Sequence, residues 1–326
     1  MKKRSLITGI AGFIGSNLAR TLLAEGEEVY GIDDFSTGSK DNIADLSRNR
    51  SFNFAEGSVV KPEPLKRLMG TVNETYHLAA AVGVKYILEH PFESLEVNVE
   101  GTRNVLRQAM DFRKRVMVVS SSEVYGKNPN MPLAEEDDRL LGPTQSSRWS
   151  YSSAKALDEF MALAAHRTKN LDVCIVRLFN VVGPGQTGRY GMVLPNFVGQ
   201  ALKGQPITVF GTGKQTRTFC HVADVIDAMR QIMASDKTSG EVINVGGTEE
   251  ISMLDLAQRV KTVLNSPSDI QLIPYKEAYG EGFDDMPRRV PSLDKIYHLI
   301  GWTPRRTLDD AIRDVAEYLH SRKEQK

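Results

Sequence analysis

The 326-residue sequence predicts an α/β fold, in which a doubly wound parallel sheet is joined to a smaller C-terminal domain. Short apolar segments typical of buried strands alternate with helical segments between Leu6 and Val245, and this alternation is typical of parallel sheets covered by helices. From about Phe179 onward glycine and proline become frequent, as in short elements built onto the carboxyl ends of strands. The chain therefore divides into a sheet domain and a loop-rich domain.

Seven segments have the apolar composition of strands. They lie at residues 6–8, 28–32, 52–55, 74–78, 115–119, 173–178 and 241–245. Residues 16–25 and 92–112 repeat apolar side chains at helical spacing, and Gly26 follows the first of these helices. The strand-to-helix alternation thus extends through the first three quarters of the chain.

Composition excludes several classes of function. Lys and Arg together number 41, as do Asp and Glu, so no overall charge favours nucleic acid or an anionic membrane. No apolar run approaches the roughly 18 residues of a membrane span, and the first apolar run is too short for a signal peptide. The two cysteines, Cys174 and Cys220, form neither a disulfide framework nor a metal-binding spacing. We therefore expect a cytoplasmic protein with no metal, nucleic-acid or membrane partner.

A glycine-rich turn follows the first strand. Gly9, Gly12 and Gly15 are three residues apart, and the turn runs directly into a helix, where backbone amides can approach a pyrophosphate without obstruction by side chains. Asp33 ends the next strand, at the position where an acidic side chain accepts from ribose hydroxyls and repels a 2′-phosphate. This Rossmann-like unit predicts NAD as the cofactor in preference to NADP.

Tyr151 and Lys155 are four residues apart, which places them on one face of a helix. A nearby ammonium favours the phenolate form of tyrosine, so that the pair can serve as a base. In the loop-rich half Arg217, Arg288 and Arg289 provide guanidinium groups suited to phosphate oxygens. The chain thus predicts a base beside a dinucleotide and cations for a phosphorylated ligand.

Nine segments occur in an order and spacing that point to one family. They are Thr8-Gly9-x-x-Gly12-Phe13-Ile14-Gly15, Asp33, His77-Leu78-Ala79-Ala80, Asn98-Val-x-Gly-Thr-x-Asn104, Ser120-Ser121-Ser122-Glu123-Val-Tyr-Gly126, Tyr151-x-x-x-Lys155, Arg177-x-Phe-Asn180-Val-x-Gly-Pro184, Arg217-x-Phe-x-His221-Val-x-Asp224 and Leu299-Ile-Gly-Trp302. The chain resembles the extended short-chain dehydrogenase/reductase family, in its branch of nucleotide-sugar epimerases, dehydratases and decarboxylases, over essentially its whole length.

The resemblance implies a catalytic set. Tyr151 as phenolate would take the proton of a sugar 4-hydroxyl while hydride leaves C4 for the nicotinamide, and Ser121 would hydrogen-bond the same oxygen. Lys155 would hold the nicotinamide ribose and lower the pKa of Tyr151. NAD would be regenerated within each turnover, and a 4-keto sugar would be the intermediate.

The resemblance also implies which residues bind the two ligands. Those for the cofactor are Gly9, Gly12, Phe13, Ile14, Gly15, Asp33, Asp34, Ser58, Val59, Leu78, Ala79, Ala80, Asn98, Tyr151 and Lys155. Those for a UDP-sugar, or another nucleotide sugar, are Lys85, Ser122, Asn180, Arg189, Val193, Asn196, Val209, Phe210, Arg217 and Arg289. Of these, Asn180 is implied to hold the diphosphate and Arg289 to lie near the nucleotide. Residues 1–178 with about 216–248 would form the NAD-binding domain, and residues 179–215 with 249–326 the nucleotide-sugar-binding domain.

The fate of the 4-keto sugar depends on Glu123 and its surroundings. Family dehydratases have an Asp-Glu pair where this chain has Ser122 and Glu123, so 4,6-dehydration is disfavoured. The segment from Asn180 to Pro195 resembles 4-epimerases, whereas Arg148-Trp149 before Tyr151 resembles UDP-glucuronate decarboxylases. We expect a UDP-hexose or UDP-hexuronate 4-epimerase, with UDP-glucuronate decarboxylase as the alternative and a non-catalytic dinucleotide sensor as a remote one. A uronate carboxylate would require a cation, for which Arg189 and Lys85 are candidates.

The assembly is expected from the same resemblance. The helix at residues 92–112 and the helix that carries Tyr151 and Lys155 resemble the pair that forms a four-helix bundle between two subunits in this family. The chain is therefore predicted to form a homodimer.

Overall fold

The computed structural model describes residues 2–188, 192–275, 277 and 286–321, without the side chains of residues 84, 85, 88 and 148. Its strands are β1 Arg4–Thr8, β2 Glu28–Asp33, β3 Phe52–Glu56, β4 Glu74–His77, β5 Arg115–Ser121, β6 Val173–Leu178, β7 Val181–Val182, β8 Ile207–Phe210, β9 Thr216–Thr218, β10 Cys220–His221, β11 Val242–Val245, β12 Glu250–Ser252, β13 Ile270–Ile273 and β14 Arg288–Arg289. Its helices are α1 Phe13–Ala24, α2 Pro62–Met69, α3 Val84–Glu89, α4 Pro91–Phe112, α5 Ser150–Lys169, α6 Val193–Ala201, α7 Val222–Ala234, α8 Met253–Val263, α9 Asp294–Ile300 and α10 Leu308–Ser321.

Seven strands form one parallel sheet in the order β11-β6-β5-β4-β1-β2-β3. The order reverses direction at β1 and β4, which makes the adjoining crevice the expected ligand site of an open α/β sheet. The fold predicted from the sequence is confirmed, because these are the seven segments with strand composition.

The sheet is buried on both faces. Leu6 packs on the side of α2, α4 and α5, whereas its neighbour Ile7 packs on the side of α1 and α7. Val116 and Met117 alternate in the same way in β5. This accounts for the continuous apolar runs of these strands, which a sheet with one solvated face would not require.

The C-terminal elements form a separate core. Apolar side chains of α6, α8 and α10 surround the fully buried Val209 of β8. Strands β8, β9 and β12 to β14 form two small sheets, β12-β9-β14 and β13-β8, while β11 joins the large sheet. The residue boundaries of the two domains remain a prediction. None of the helices in the described residues has the length and apolar character needed to cross a membrane.

Candidate active site

A cleft of about 760 Å³ opens at the carboxyl ends of β1, β2, β4 and β5 and extends to the C-terminal elements. It gathers most of the residues selected from the sequence. Those that line it are Gly9, Gly12, Phe13, Ile14, Gly15, Asp33, Asp34, Val59, Leu78, Ala79, Ala80, Ser121, Ser122, Glu123, Tyr151, Lys155, Asn180, Val193, Asn196, Phe210, Arg217 and Arg289.

Three of the selected residues are not among those that line the cleft. Asn98 is buried, and its Oδ1 accepts from the Ala81 amide at 2.9 Å, so it supports the loop after β4 instead of facing a ligand. Val209 is fully buried in the C-terminal core, because its strand turns that side chain away from the opening. Ser58 lies between two lining residues, Gly57 and Val59. Arg189 and the side chain of Lys85 lie outside the described residues.

The glycine turn leaves no room for side chains. A Cβ on Gly15 would lie 2.3 Å from the Gly9 carbonyl oxygen, and one on Gly9 would lie 2.7 Å from the Ala79 amide nitrogen. Gly9 also has a φ of +72°, which glycine adopts without strain. The turn leads into the first residues of α1, whose helix cap at Gly12 has no side-chain hydrogen bond. Exposed backbone amides at a positive helix end fit the pyrophosphate of a dinucleotide.

Asp33 is held at the end of β2 by backbone amides. Its Oδ2 accepts from Ala11 N at 2.8 Å and its Oδ1 accepts from Phe35 N at 2.8 Å. Burial raises the pKa of Asp33, while these two hydrogen bonds lower it. Each carboxylate oxygen has further lone pairs, so Asp33 can orient the turn and still accept from a ribose hydroxyl. Together with the turn, this geometry fits NAD, which supplies a hydride acceptor when it is bound.

Tyr151 lies beside the end of β5. Burial, Glu123 and Asp158 raise the pKa of Tyr151 above that of an ordinary phenol, whereas the Ser121 hydroxyl and Arg289 lower it. The expectation that the pKa of Tyr151 is depressed is therefore wrong for the protein without ligands. The physical reason is that burial, followed by the carboxylates of Glu123 and Asp158, outweighs the Ser121 hydroxyl and the Arg289 guanidinium.

Lys155 forms an ion pair with a residue one helical turn further along α5. Its Nζ donates to Asp158 Oδ2 at 3.1 Å, and both side chains are almost completely buried. The sequence analysis did not select Asp158, although its position three residues after Lys155 places it on the same face of α5. That spacing is the signal by which it could have been found.

Glu123 and Arg289 form an ion pair in the cleft. Nη1 of Arg289 contacts Glu123 Oε1, and Nη2 donates to Asn180 Oδ1 at 3.0 Å. Asn180 in turn donates from Nδ2 to the Thr218 carbonyl at 2.7 Å. Arg289, expected near the nucleotide, thus lies within electrostatic reach of Tyr151, and the side-chain amide of Asn180 is hydrogen-bonded to protein atoms through both its oxygen and its nitrogen.

Two further residues, Tyr275 and Gln215, also line the cleft. Tyr275 follows β13, and its ring occupies the space that a side chain on Gly211 would need, with Cε2 2.4 Å from a Cβ built there. Gln215 donates from Nε2 to the Phe210 carbonyl at 3.1 Å and so fixes the loop after β8. The sequence carried no signal for Tyr275, because its place beside Phe210 depends on the pairing of β13 with β8.

Comparisons with known proteins agree with this architecture. A family profile described as GDP-mannose 4,6 dehydratase matches residues 6–315. The UDP-N-acetyl-alpha-D-glucosaminuronate decarboxylase of Bacillus cytotoxicus is 37% identical over 319 residues, covering 98% of each chain. UDP-glucuronic acid decarboxylase 1 of Danio rerio is 34% identical, covering 97% of this chain and 72% of that protein. The crystal structure of UDP-glucuronic acid 4-epimerase from Bacillus cereus, in complex with UDP-glucuronic acid and NAD, is 28% identical with a TM-score of 0.86, covering 98% of this chain and 99% of the other.

Proposed function

The chain belongs to the GDP-mannose 4,6-dehydratase-like group of the extended short-chain dehydrogenase/reductase family, an NAD-dependent group, and on that premise we propose that it is a UDP-hexuronate decarboxylase. Two curated relatives that align over nearly all of this chain are named for decarboxylation of UDP-linked uronates. They support the decarboxylase alternative of the sequence analysis more than its expectation of an epimerase.

The observation that carries the proposal is the ion pair between Glu123 and Arg289. The two members line the same cleft as Tyr151 and act on its pKa with opposite signs, since Glu123 raises it and Arg289 lowers it. A uronate carboxylate requires a cation there, and Arg289 provides one within the described residues. Because Glu123 offsets that charge, the carboxylate would be oriented without strong stabilisation of its ground state, which favours its loss.

The reaction balances without a further reactant. Tyr151 as phenolate would remove the 4-hydroxyl proton, and NAD, held by the glycine turn and Asp33, would supply the acceptor and later donor of the C4 hydride. The resulting C4 ketone is β to the carboxylate, so the C5–C6 bond can break, carbon dioxide leaves, and the electron pair passes to the ketone as an enolate. A proton from solvent then replaces the carboxyl group at C5, and Tyr151 returns its proton to O4 as the ketone is reduced.

Dehydration of a neutral sugar is less well supported. A departing 6-hydroxyl needs a neutral carboxylic acid as proton donor. Glu123 is engaged by the guanidinium of Arg289, and its neighbour Ser122 has no acidic proton to offer. Neither of these two residues therefore supplies the acid that dehydration requires.

Epimerisation at C4 remains the second candidate, because the Bacillus cereus enzyme, which resembles this chain over nearly its full length, is named for it. The two reactions diverge only after the ketone has formed. An epimerase releases a uronate with inverted C4, whereas a decarboxylase releases a pentose.

The proposal is tested by proton NMR of the products from UDP-glucuronate and UDP-N-acetylglucosaminuronate, with carbon dioxide trapped in parallel. In deuterium oxide we expect a pentose product with one deuterium at C5, and no net NADH. The Tyr151→Phe variant is the inactive control. A uronate product with all its carbon and an inverted C4 would replace the proposal with the epimerase.

We also propose that the chain forms a homodimer through α4 and α5. These helices pack against each other, and their outer faces expose Phe92 and Phe160 with 75% and 63% of their surface accessible. Leu95 and Leu157 are the other large apolar residues exposed on this pair of helices. Apolar side chains of this size on adjacent helices support a subunit interface.

A further inference from the structure

The ion pair between Lys155 and Asp158 is a buried charge pair directly behind the proton-transfer residue. The Lys155 side chain is 3% exposed and that of Asp158 is fully buried. An ammonium this deeply buried needs a counter-ion, since the cost of desolvating a lone charge exceeds that of almost any other buried group. Asp158 supplies that counter-ion from one turn further along α5.

Asp158 also interacts with Thr102, which belongs to a series of hydrogen-bonded side chains. The Thr102 hydroxyl of α4 lowers the pKa of Asp158, although burial raises it overall. Thr102 Oγ1 lies 3.0 Å from His77 Nε2, and His77 Nδ1 lies 2.7 Å from Thr8 Oγ1. The Thr8 hydroxyl already accepts from Ala79 N at 3.1 Å.

The direction of this chain of hydrogen bonds follows from counting donors. Burial and Lys155 lower the pKa of His77 to about 3, so its ring is neutral and has one donor and one acceptor. If Thr8 donates to Nδ1, then Nε2–H donates to Thr102, and the Thr102 hydroxyl proton remains for the carboxylate of Asp158. In this tautomer the Thr102 hydroxyl proton is available to the Asp158 carboxylate, whose Oδ1 has no hydrogen-bond partner among the described residues.

The charges that face Tyr151 come from three parts of the fold. Glu123 follows β5, Arg289 belongs to β14, and Lys155 and Asp158 belong to the same helix as Tyr151. Glu123 and Arg289 offset each other across the cleft, as Lys155 and Asp158 do within α5. Removal of one member from either pair therefore changes the net charge at the tyrosine.

We propose that Asp158 is a positioning residue of the proton relay, which holds the Lys155 ammonium in place through a buried ion pair and cancels its charge at Tyr151. With both pairs intact, Tyr151 remains a neutral phenol. Formation of the phenolate then depends on positive charge added to the site when ligands bind. This inference concerns the protonation of Tyr151, which the choice between decarboxylation and epimerisation does not affect.

The test is a spectroscopic titration of Tyr151 in the NAD-saturated protein, read as the phenolate absorbance that disappears in a Tyr151→Phe reference. Asp158→Asn should move the midpoint to lower pH by about one unit, because a negative charge is removed. Asp158→Glu should keep the midpoint near that of the wild type. Asp227→Asn, on α7 and outside the cleft, should not change it. The acid limb of kcat/KM should move with the spectroscopic midpoint.

A midpoint that is unchanged or raised in Asp158→Asn would overturn the proposal. If that variant does not fold, the comparison of Lys155→Met with Lys155→Met/Asp158→Asn provides the test. Lys155→Met leaves a buried carboxylate unpaired, so the double variant should have the higher Tm. An equal or lower Tm of the double variant would show that the two groups are not paired in this way.

Discussion

Arg288 and Arg289 are adjacent in β14 but have different surroundings. Arg288 is 53% exposed and pairs with Glu250 at 2.8 Å on the surface, whereas Arg289 is 12% exposed and contacts Glu123 and Asn180 inside the cleft. Neighbouring residues of a strand point to opposite faces, which separates the two guanidinium groups. The two arginines therefore form a matched pair for mutagenesis.

Arg289→Ala is expected to lower kcat/KM for UDP-glucuronate by at least about a hundredfold, because it removes the cation proposed to bind the carboxylate and leaves Glu123 in the cleft without that partner. Arg288→Ala should change kcat/KM by less than about twofold, since exposed ion pairs contribute little. Steady-state kinetics of both purified variants measure this difference. Equal losses in the two variants would remove Arg289 from the proposed role.

The buried imidazole of His77 joins strand β4 to two neighbouring elements. It contacts Thr8 of β1 and Thr102 of α4, and its pKa is lowered to about 3. In the unfolded chain a histidine titrates near 6.5, so between these two values the unfolded chain binds a proton that the folded chain does not. The stability that neutral His77 contributes is therefore fully present above pH 6.5 and is lost as the pH falls toward 3.

The slope that follows is about 1.4 kcal/mol of unfolding free energy per pH unit from this one residue. Between pH 6 and pH 5, His77→Gln should lower the slope of the unfolding free energy against pH by about this amount, even though the variant is less stable overall. The exposed His298 of α9 provides the control, since His298→Gln should retain the slope of the wild type. Urea unfolding at a series of pH values gives the slopes, and identical slopes for wild type and His77→Gln would contradict the assignment.

Gly15 is buried within the first turn of helix α1, and its lack of a side chain allows the helix to pack close to the turn after β1. We expect Gly15→Ala to weaken NAD binding by more than about tenfold and to lower Tm, because the new Cβ meets backbone atoms that cannot move aside. Gly199 in α6 is a helical glycine with its nearest neighbour 3.9 Å from a built Cβ. Gly199→Ala should leave NAD affinity unchanged and raise Tm slightly, as alanine favours helix. Calorimetric titration with NAD and thermal unfolding measure both effects, and unaltered NAD affinity in Gly15→Ala would mean that the turn is not the pyrophosphate site.

At the scale of the whole molecule, local sequence patterns predicted the helices and strands. The contacts of the candidate active site depend instead on segments that are far apart in the sequence. The strands and the glycine turn are encoded in apolar runs and spacing within about thirty residues, so both could be predicted. Arg289 and Glu123 are 166 positions apart, and their contact depends on the pairing of β14 with β9, which both contribute residues to the cleft. The raised pKa of Tyr151 depends likewise on burial and on Glu123, which folding brings to α5 from the end of β5, whereas Asp158 could have been found from its spacing along α5.

The exposed apolar face of α4 and α5 leads to a prediction about assembly. Placing a charge at Phe92 and Phe160 should prevent two copies from associating, because burial of an unpaired carboxylate in an interface is unfavourable. We expect the wild-type protein to sediment as a dimer and the double variant Phe92→Glu/Phe160→Glu as a monomer. Leu272 of β13 is 51% exposed on a different surface, so Leu272→Glu should remain dimeric. Analytical ultracentrifugation distinguishes these states, and a wild-type monomer across the micromolar range, or a dimer that survives both charges, would show that this face has another role.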